Sequence, residues 1–264
     1  MPLAFPSHPG LVAYVTCGDP DLATTRDVVL AAARAGADVI ELGVPFSDPV
    51  ADGPVIQRAS QRALEGGTRL DDVLDLAREI RRQSDVGLIV FSYLNPVLRF
   101  GLERFAAAAR AAGVDGALIT DLTVEESGAY LALMRAQRLA TVFLAAPTSP
   151  DARLRRIAQA SSGFVYAVSR TGITGQQKQL SAEARDLVRR LRRFTKLPIA
   201  VGFGISNAEQ FAEVGKFADA AVVGSAIVQA IESAGKAGAA AAVAQLISGL
   251  RGKQSAIGTQ HSAR

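Results

Sequence analysis

The sequence predicts an α/β protein of the (β/α)8, or TIM, barrel type with an extra helix in the second crossover, and three observations lead there. Eight short, near-continuously apolar runs alternate with amphipathic stretches, as parallel strands buried on both faces and their covering helices should. The 264 residues match the roughly 250 such a barrel commonly uses as one domain. The turn after the first run, TCGDP, lacks the glycine fingerprint that an open doubly wound sheet often carries there.

The runs are LVAYVT (11–16), DVIELG (38–43), GLIVFSY (87–93), GALITDL (116–122), TVFLAA (141–146), GFVYAVS (163–169), PIAVGFG (198–204) and AAVVGSA (220–226). Between them TRDVVLAAARAGA, DDVLDLAREIRRQ, LERFAAAARAAG and EESGAYLALMRAQ return apolar residues at helical spacing. In AGAD (35–38) and AGVD (112–115) a glycine able to adopt a left-handed conformation ends the helix before the next strand. GPVIQRASQRALEG (53–66) reads as the extra helix, and AGKAGAAAAVAQLISGL (234–250) as the last outer one. Residues 1–250 are expected to form a single catalytic domain, and the polar tail 251–264 to be disordered.

Composition narrows the function. Cys17 is the lone cysteine, so the chain can form no internal disulfide or thiolate metal cluster, and the reducing cytoplasm fits. The N-terminus lacks the pattern of a secretory signal, and no run of about 20 apolar residues occurs. The net charge is +4, and the arginines sit mostly in helical segments such as RLRRIAQA and ARDLVRRLRRF, with few aromatics beside them. Solvated helix faces explain that pattern better than nucleic-acid binding.

The chemistry concentrates in ELGVPFSDPVADGP (41–54), where three acids are threaded with three prolines. Barrel enzymes work at the C-terminal ends of their strands. Glu41 ends strand two as the lone ionisable group in an apolar run, a setting that raises a carboxyl pKa toward proton transfer near neutrality. The competing reading is a core carboxylate paired with a cation. Asp52, after the stiff loop, can fold back over the same cavity as an acceptor or charge stabiliser, while Asp48 in FSDP suits a turn or a partner contact.

Late in the chain GFGISN (202–207) and VVGSAIV (222–228) expose backbone N–H groups after strands seven and eight, where barrels commonly bind phosphate. SRTGITGQQKQL (169–180) reads as a lid, with Gly172 and Gly175 as pivots and Arg170 and Lys178 as solvated cations.

TCGDP, ELGVPFSDPVADGP, SRTGITG, GFGIS and GSAIV, in that order across residues 11–250, closely resemble the tryptophan synthase alpha chain family. The resemblance implies retro-aldol cleavage of indole-3-glycerol phosphate to indole and glyceraldehyde 3-phosphate, the indole C3 gaining a proton and the adjacent hydroxyl losing one. Glu41 matches the family's general acid/base and Asp52 the carboxylate that holds the indole N–H. Tyr14, Tyr93, Tyr166 and Phe203 match pocket wall, with core packing as their other reading. Gly175, Gly204, Gly224 and Ser225 match phosphate-binding positions, and Thr174 the lid threonine. It further implies no cofactor in this chain and a beta-chain partner carrying pyridoxal phosphate, in an alpha2beta2 assembly that makes Asp48 an interface residue.

The chain departs from the family at Thr123, where proline is usual, and at Cys17, a position commonly small or apolar. About ten residues precede strand one, leaving little room for the helix that typically plugs the bottom of this barrel. Rival readings are another phosphate-binding barrel enzyme of tryptophan or histidine biosynthesis, and a non-catalytic regulatory subunit.

Overall fold

The computed structural model describes residue 3 and residues 5–168, 177–202 and 204–252, for 177–181 the backbone only. Eight parallel strands close in chain order, β8 pairing back onto β1. The elements are β1 (Gly10–Thr16), α1 (Leu22–Arg34), β2 (Val39–Gly43), α2 (Pro54–Glu65), α3 (Leu70–Arg81), β3 (Gly87–Ser92), α4 (Leu94–Phe100), α5 (Leu102–Ala111) and β4 (Gly116–Ile119). They continue with α6 (Gly128–Ala136), β5 (Ala140–Ala145), α7 (Asp151–Ala160), β6 (Val165–Val168), α8 (Gln177–Leu191), β7 (Ile199–Gly202), α9 (Ala208–Gly215), β8 (Ala220–Val223) and α10 (Ser225–Gly252).

The expected (β/α)8 barrel and its extra helix α2 are both present. The helix starts where it does because Pro54 occupies its first turn, where a missing N–H costs nothing. Three departures have local causes. Helix α4 was not expected after strand three; its Pro96 is tolerated only because it falls in the first turn. The fourth run stops as a strand at Ile119, where the Leu122 N–H turns back onto the Ile119 carbonyl. The last helix begins at Ser225 rather than 234 and is broken at Gly235.

Strand alternation divides the core in two. Outward residues such as Ile40, Leu42, Leu88 and Val90 join the helices in the main cluster, where Cys17 is also buried. Inward residues Val12, Val39, Ile89, Leu118, Val142, Phe164 and Ala200 fill the barrel floor. The side chain of Leu3 enters that inner cluster, and Phe5 packs edge-on against Phe164 at 5.8 Å. A Cβ on Gly10 would overlap the Phe5 ring, so the first residue of β1 has to be small.

The helix-to-strand turns share one device. Gly36 and Gly113 adopt positive φ (108° and 77°) as the two motifs anticipated. The aspartates that follow, Asp38 and Asp115, accept the N–H of Leu11 and Leu88 on the neighbouring strand (2.7 and 2.8 Å). Each is held in turn by an arginine, Arg251 at 2.6 Å and Arg81 at 2.8 Å. Arg251 also donates to the Gly36 carbonyl. Arg251, where the tail was expected to begin, lies in α10, and 253–264 lie outside the described residues. A groove of about 920 Å³ opens at this N-terminal end of the barrel.

The cationic helices carry ion pairs at their surfaces: Arg153 and Arg156 clasp Glu125, and Arg190 and Arg193 clasp Asp151. No helix among the described residues is long and apolar enough to cross a membrane.

Candidate active site

At the C-terminal face the inward rows open into a cavity of about 440 Å³ lined by Tyr14, Glu41, Asp52, Tyr166, Gly204, Gly224 and Ser225 among others. That volume suits a small ligand. Strand periodicity explains the composition of the wall. Val39 and Glu41 share the inner side of β2, Val39 in the apolar floor and Glu41 one step higher. Their neighbours Ile40 and Leu42 face the helices. Tyr14 sits in register beside Glu41 on β1.

Glu41 is 1% exposed, and its Oε1 has no hydrogen-bond partner among the described residues. Burial alone pushes its carboxyl up to about 8. No ion pair among the described residues includes it, so the alternative of a core carboxylate paired with a cation has no partner there. An orphaned polar atom in a packed interior calls for an explanation. Here the residue lines the cavity.

Asp52 is brought over that cavity as expected. The loop before it is a series of tight turns: the Val50 N–H returns to the Asp48 carbonyl at 2.9 Å and the Asp52 N–H to the Pro49 carbonyl at 3.0 Å. Burial raises the Asp52 carboxyl to about 6, against the lowering effect of the Tyr93 hydroxyl bonded to it. Two carboxyls in one cavity thus titrate at different pH, the arrangement that separates acid from acceptor.

Tyr93 is not among the residues that line the described cavity. Expected as pocket wall, it stands behind Asp52, donating to Oδ2 at 3.1 Å and accepting the Ala51 N–H at 2.9 Å, with its ring against Phe46. It aims the loop. Tyr14 and Tyr166 do line the cavity, and burial, with both carboxylates nearby, holds their phenols well above the usual range. Each tyrosine requires a glycine next to it: a Cβ on Gly202 would lie 2.5 Å from the Tyr166 hydroxyl, and one on Gly43 would overlap that of Tyr14. The wall also includes Phe91, Thr120 and Leu144, which the sequence reading missed. The signal was available, because Phe91 is inward by the same alternation and packs edge-on against Tyr14 at 5.1 Å.

Gly204, Gly224 and Ser225 also line the cavity, with Ser225 opening α10. The first N–H groups of a helix lack partners within it and favour an anion. Asp48 is exposed, its Oδ2 accepting the Ser47 hydroxyl, and the adjacent Val50 is 87% exposed. Thr123 donates to Glu126 at 3.2 Å, closing the turn where proline was expected. Thr174, Gly175 and Phe203 lie outside the described residues, as do Arg170, Gly172, the Lys178 side chain and most of the expected lid. No group of three or more potential metal ligands occurs among the described residues.

Comparison with known proteins finds residues 3–256 matching the family model described as tryptophan synthase alpha chain. A tryptophan synthase alpha chain of Solibacter usitatus is 57% identical over 222 residues, covering 84% of this chain and 83% of the relative. One of Geobacter sulfurreducens is 46% identical over 245 residues, 93% of each. Among solved structures, the tryptophan synthase α2β2 complex of Pyrococcus furiosus contains a chain with a TM-score of 0.88 and 40% identity, over 93% of this chain and 98% of that one. A ligand-free tryptophan synthase of M. tuberculosis gives 0.83 and 37%, over 92% and 94%.

Proposed function

The chain belongs to the tryptophan synthase alpha chain family, and from that premise we infer how its barrel mouth works on indole-3-glycerol phosphate. The chain is a carbon–carbon lyase of L-tryptophan biosynthesis that cleaves this ester to indole and glyceraldehyde 3-phosphate, and its partner is a tryptophan synthase beta chain. Glu41 is the acid and then the base. Its protonated carboxyl delivers a proton to the indole C3, which makes the ring iminium-like and C3 a leaving group. The resulting carboxylate takes the proton from the adjacent side-chain hydroxyl as the C–C bond breaks, and the bonding pair returns to the ring. Glu41 ends the cycle as it began.

Asp52, ionised near neutrality, accepts the indole N–H and stabilises positive charge that exists only as the transition state forms. Tyr14 and Tyr166 flank the ring, together with Phe203. Gly175, Gly204, Gly224 and Ser225 hold the phosphate, and Thr174 meets Asp52 when the lid closes. The chain needs no resident cofactor for this proton chemistry; pyridoxal phosphate belongs to the beta chain. The exposed Asp48 and Val50 form part of the face that meets that partner, and the pair works in the cytoplasm.

The observation that carries the assignment is the buried Glu41 carboxyl at the cavity wall, whose Oε1 has no hydrogen-bond partner among the described residues. A purely regulatory subunit would gain nothing from so costly a group. The test is indole release from indole-3-glycerol phosphate by the full chain, with and without a beta chain. Glu41→Gln is expected to keep the fold and lose about 10²-fold or more in turnover; near-normal release by a folded variant contradicts the assignment.

A further inference from the structure

Helix α2 links the two halves of the cavity. The Asp52 turn immediately precedes it, and its first turn lines the cavity through Pro54, Val55 and Ile56. Its other end is fixed by charge. The Arg62 guanidinium grips Asp19 in a two-pronged pair, Nε to Oδ1 and Nη2 to Oδ2 both at 2.8 Å, and spends its remaining nitrogen on Glu232 Oε1, also at 2.8 Å. Asp19, in the loop after β1, is 4% exposed, and Glu232 lies two turns into α10. One turn before Arg62, Arg58 closes on the same Glu232 at 3.0 Å.

Beneath these pairs Tyr14, Ala59 and Val228 form a small apolar cluster of their own, with Val55 and Ile56 against it. The Ile56 Cδ1 would lie 3.9 Å from a Cβ on Gly224, so α2 reaches the turn that opens α10. Apolar contact is non-directional and would let two helices slide. A two-pronged arginine–carboxylate pair fixes both distance and angle, which a lysine cannot do.

We propose that Arg62 is a positioning residue that holds the Asp52 turn in register with the phosphate-binding turn at Gly224 and Ser225, so that gripping the ester end of the substrate orients its indole end. The proposal rests on the function inferred above. It explains why a residue that lines no part of the cavity ties three elements together around it.

The experiment measures kcat and KM for indole release, and the pH profile of kcat/KM, for the full chain saturated with a beta chain, as wild type, Arg62→Lys and Glu232→Gln. Arg62→Lys keeps the charge and loses the fork. Its kcat is expected to fall about 10-fold or more, with KM changed less than about 3-fold and the acid limb of the profile displaced. Glu232→Gln keeps a hydrogen-bond acceptor, so its loss of kcat is smaller and in the same direction. A folded Arg62→Lys with wild-type kcat and acid limb overturns the proposal. So does a loss of kcat that only follows the unfolded fraction seen by near-UV circular dichroism. If Arg62→Lys does not fold, Glu232→Gln decides alone, because Glu232 is partly exposed: reduced kcat at unchanged KM and folded fraction supports the proposal, and wild-type kinetics overturn it. Absence of indole from the wild type defeats the functional reading and this proposal together, whereas an active wild type with unaffected variants defeats this proposal alone.

Discussion

Replacing Glu41 by Gln should make the protein more stable at alkaline pH while removing its activity. The folded state holds the Glu41 proton until about pH 8, against an ordinary value of 4.5. Between those values folding takes up a proton, so wild-type stability falls as pH rises. Below 4.5 both states are protonated and no such cost exists. At ~1.4 kcal/mol per pH unit over roughly 3.5 pH units, the cost reaches at most about 5 kcal/mol, of which about 4 is present at pH 8. Glutamine has the shape of the protonated acid and cannot ionise. Because Oε1 already lacks a partner among the described residues, the amide should match the wild type to within about 1 kcal/mol at pH 4.5. It should then gain on the wild type as pH rises, by roughly 10 °C in Tm at pH 8 and above. Asp52 titrates in both proteins and cancels in the difference. Urea unfolding of both proteins across pH 4.5 to 9 measures this directly. Parallel stability curves would show that Glu41 ionises normally in the folded chain, and the acid role assigned to it would fall.

The same two carboxyls predict a bell-shaped kcat/KM: activity needs Asp52 ionised, above about pH 6, and Glu41 protonated, below about pH 8. A profile flat from pH 5 to 9 would refute the division of labour. Tyr93→Phe removes the hydroxyl that lowers the Asp52 carboxyl, so the acid limb should move to higher pH and turnover should drop several-fold, for a hydrogen bond worth about 1 kcal/mol; an unmoved limb argues that the tyrosine only packs. Gly202→Ala places a methyl 2.5 Å from the Tyr166 hydroxyl. The ring must shift, and KM for indole-3-glycerol phosphate should rise with a stability loss of about 1–3 kcal/mol, read by kinetics and thermal melting. Leu3→Ala empties part of the barrel floor and should cost about 2 kcal/mol in urea unfolding with kcat unchanged; a stability equal to wild type would show that Leu3 does not pack there.

Much of this was written locally in the chain. The eight apolar runs, the extra helix over 54–65 and the left-handed turns at Gly36 and Gly113 follow from short-range pattern, because strand and helix periods and glycine's conformational freedom act within a few residues. Glu41 was legible for the same reason: an acid at the end of an apolar strand, between two residues facing the helices, must face the barrel interior. What the chain did not disclose lies between elements. That Tyr93 holds Asp52, that Leu3 and Phe5 close the floor, and that Arg62 joins Asp19 to Glu232 depend on the register in which eight strands close and on which helices that closure brings side by side. Hydrogen bonds and ion pairs are short and directional, so partners 41 or 170 positions apart in sequence meet only after the ring has set their positions.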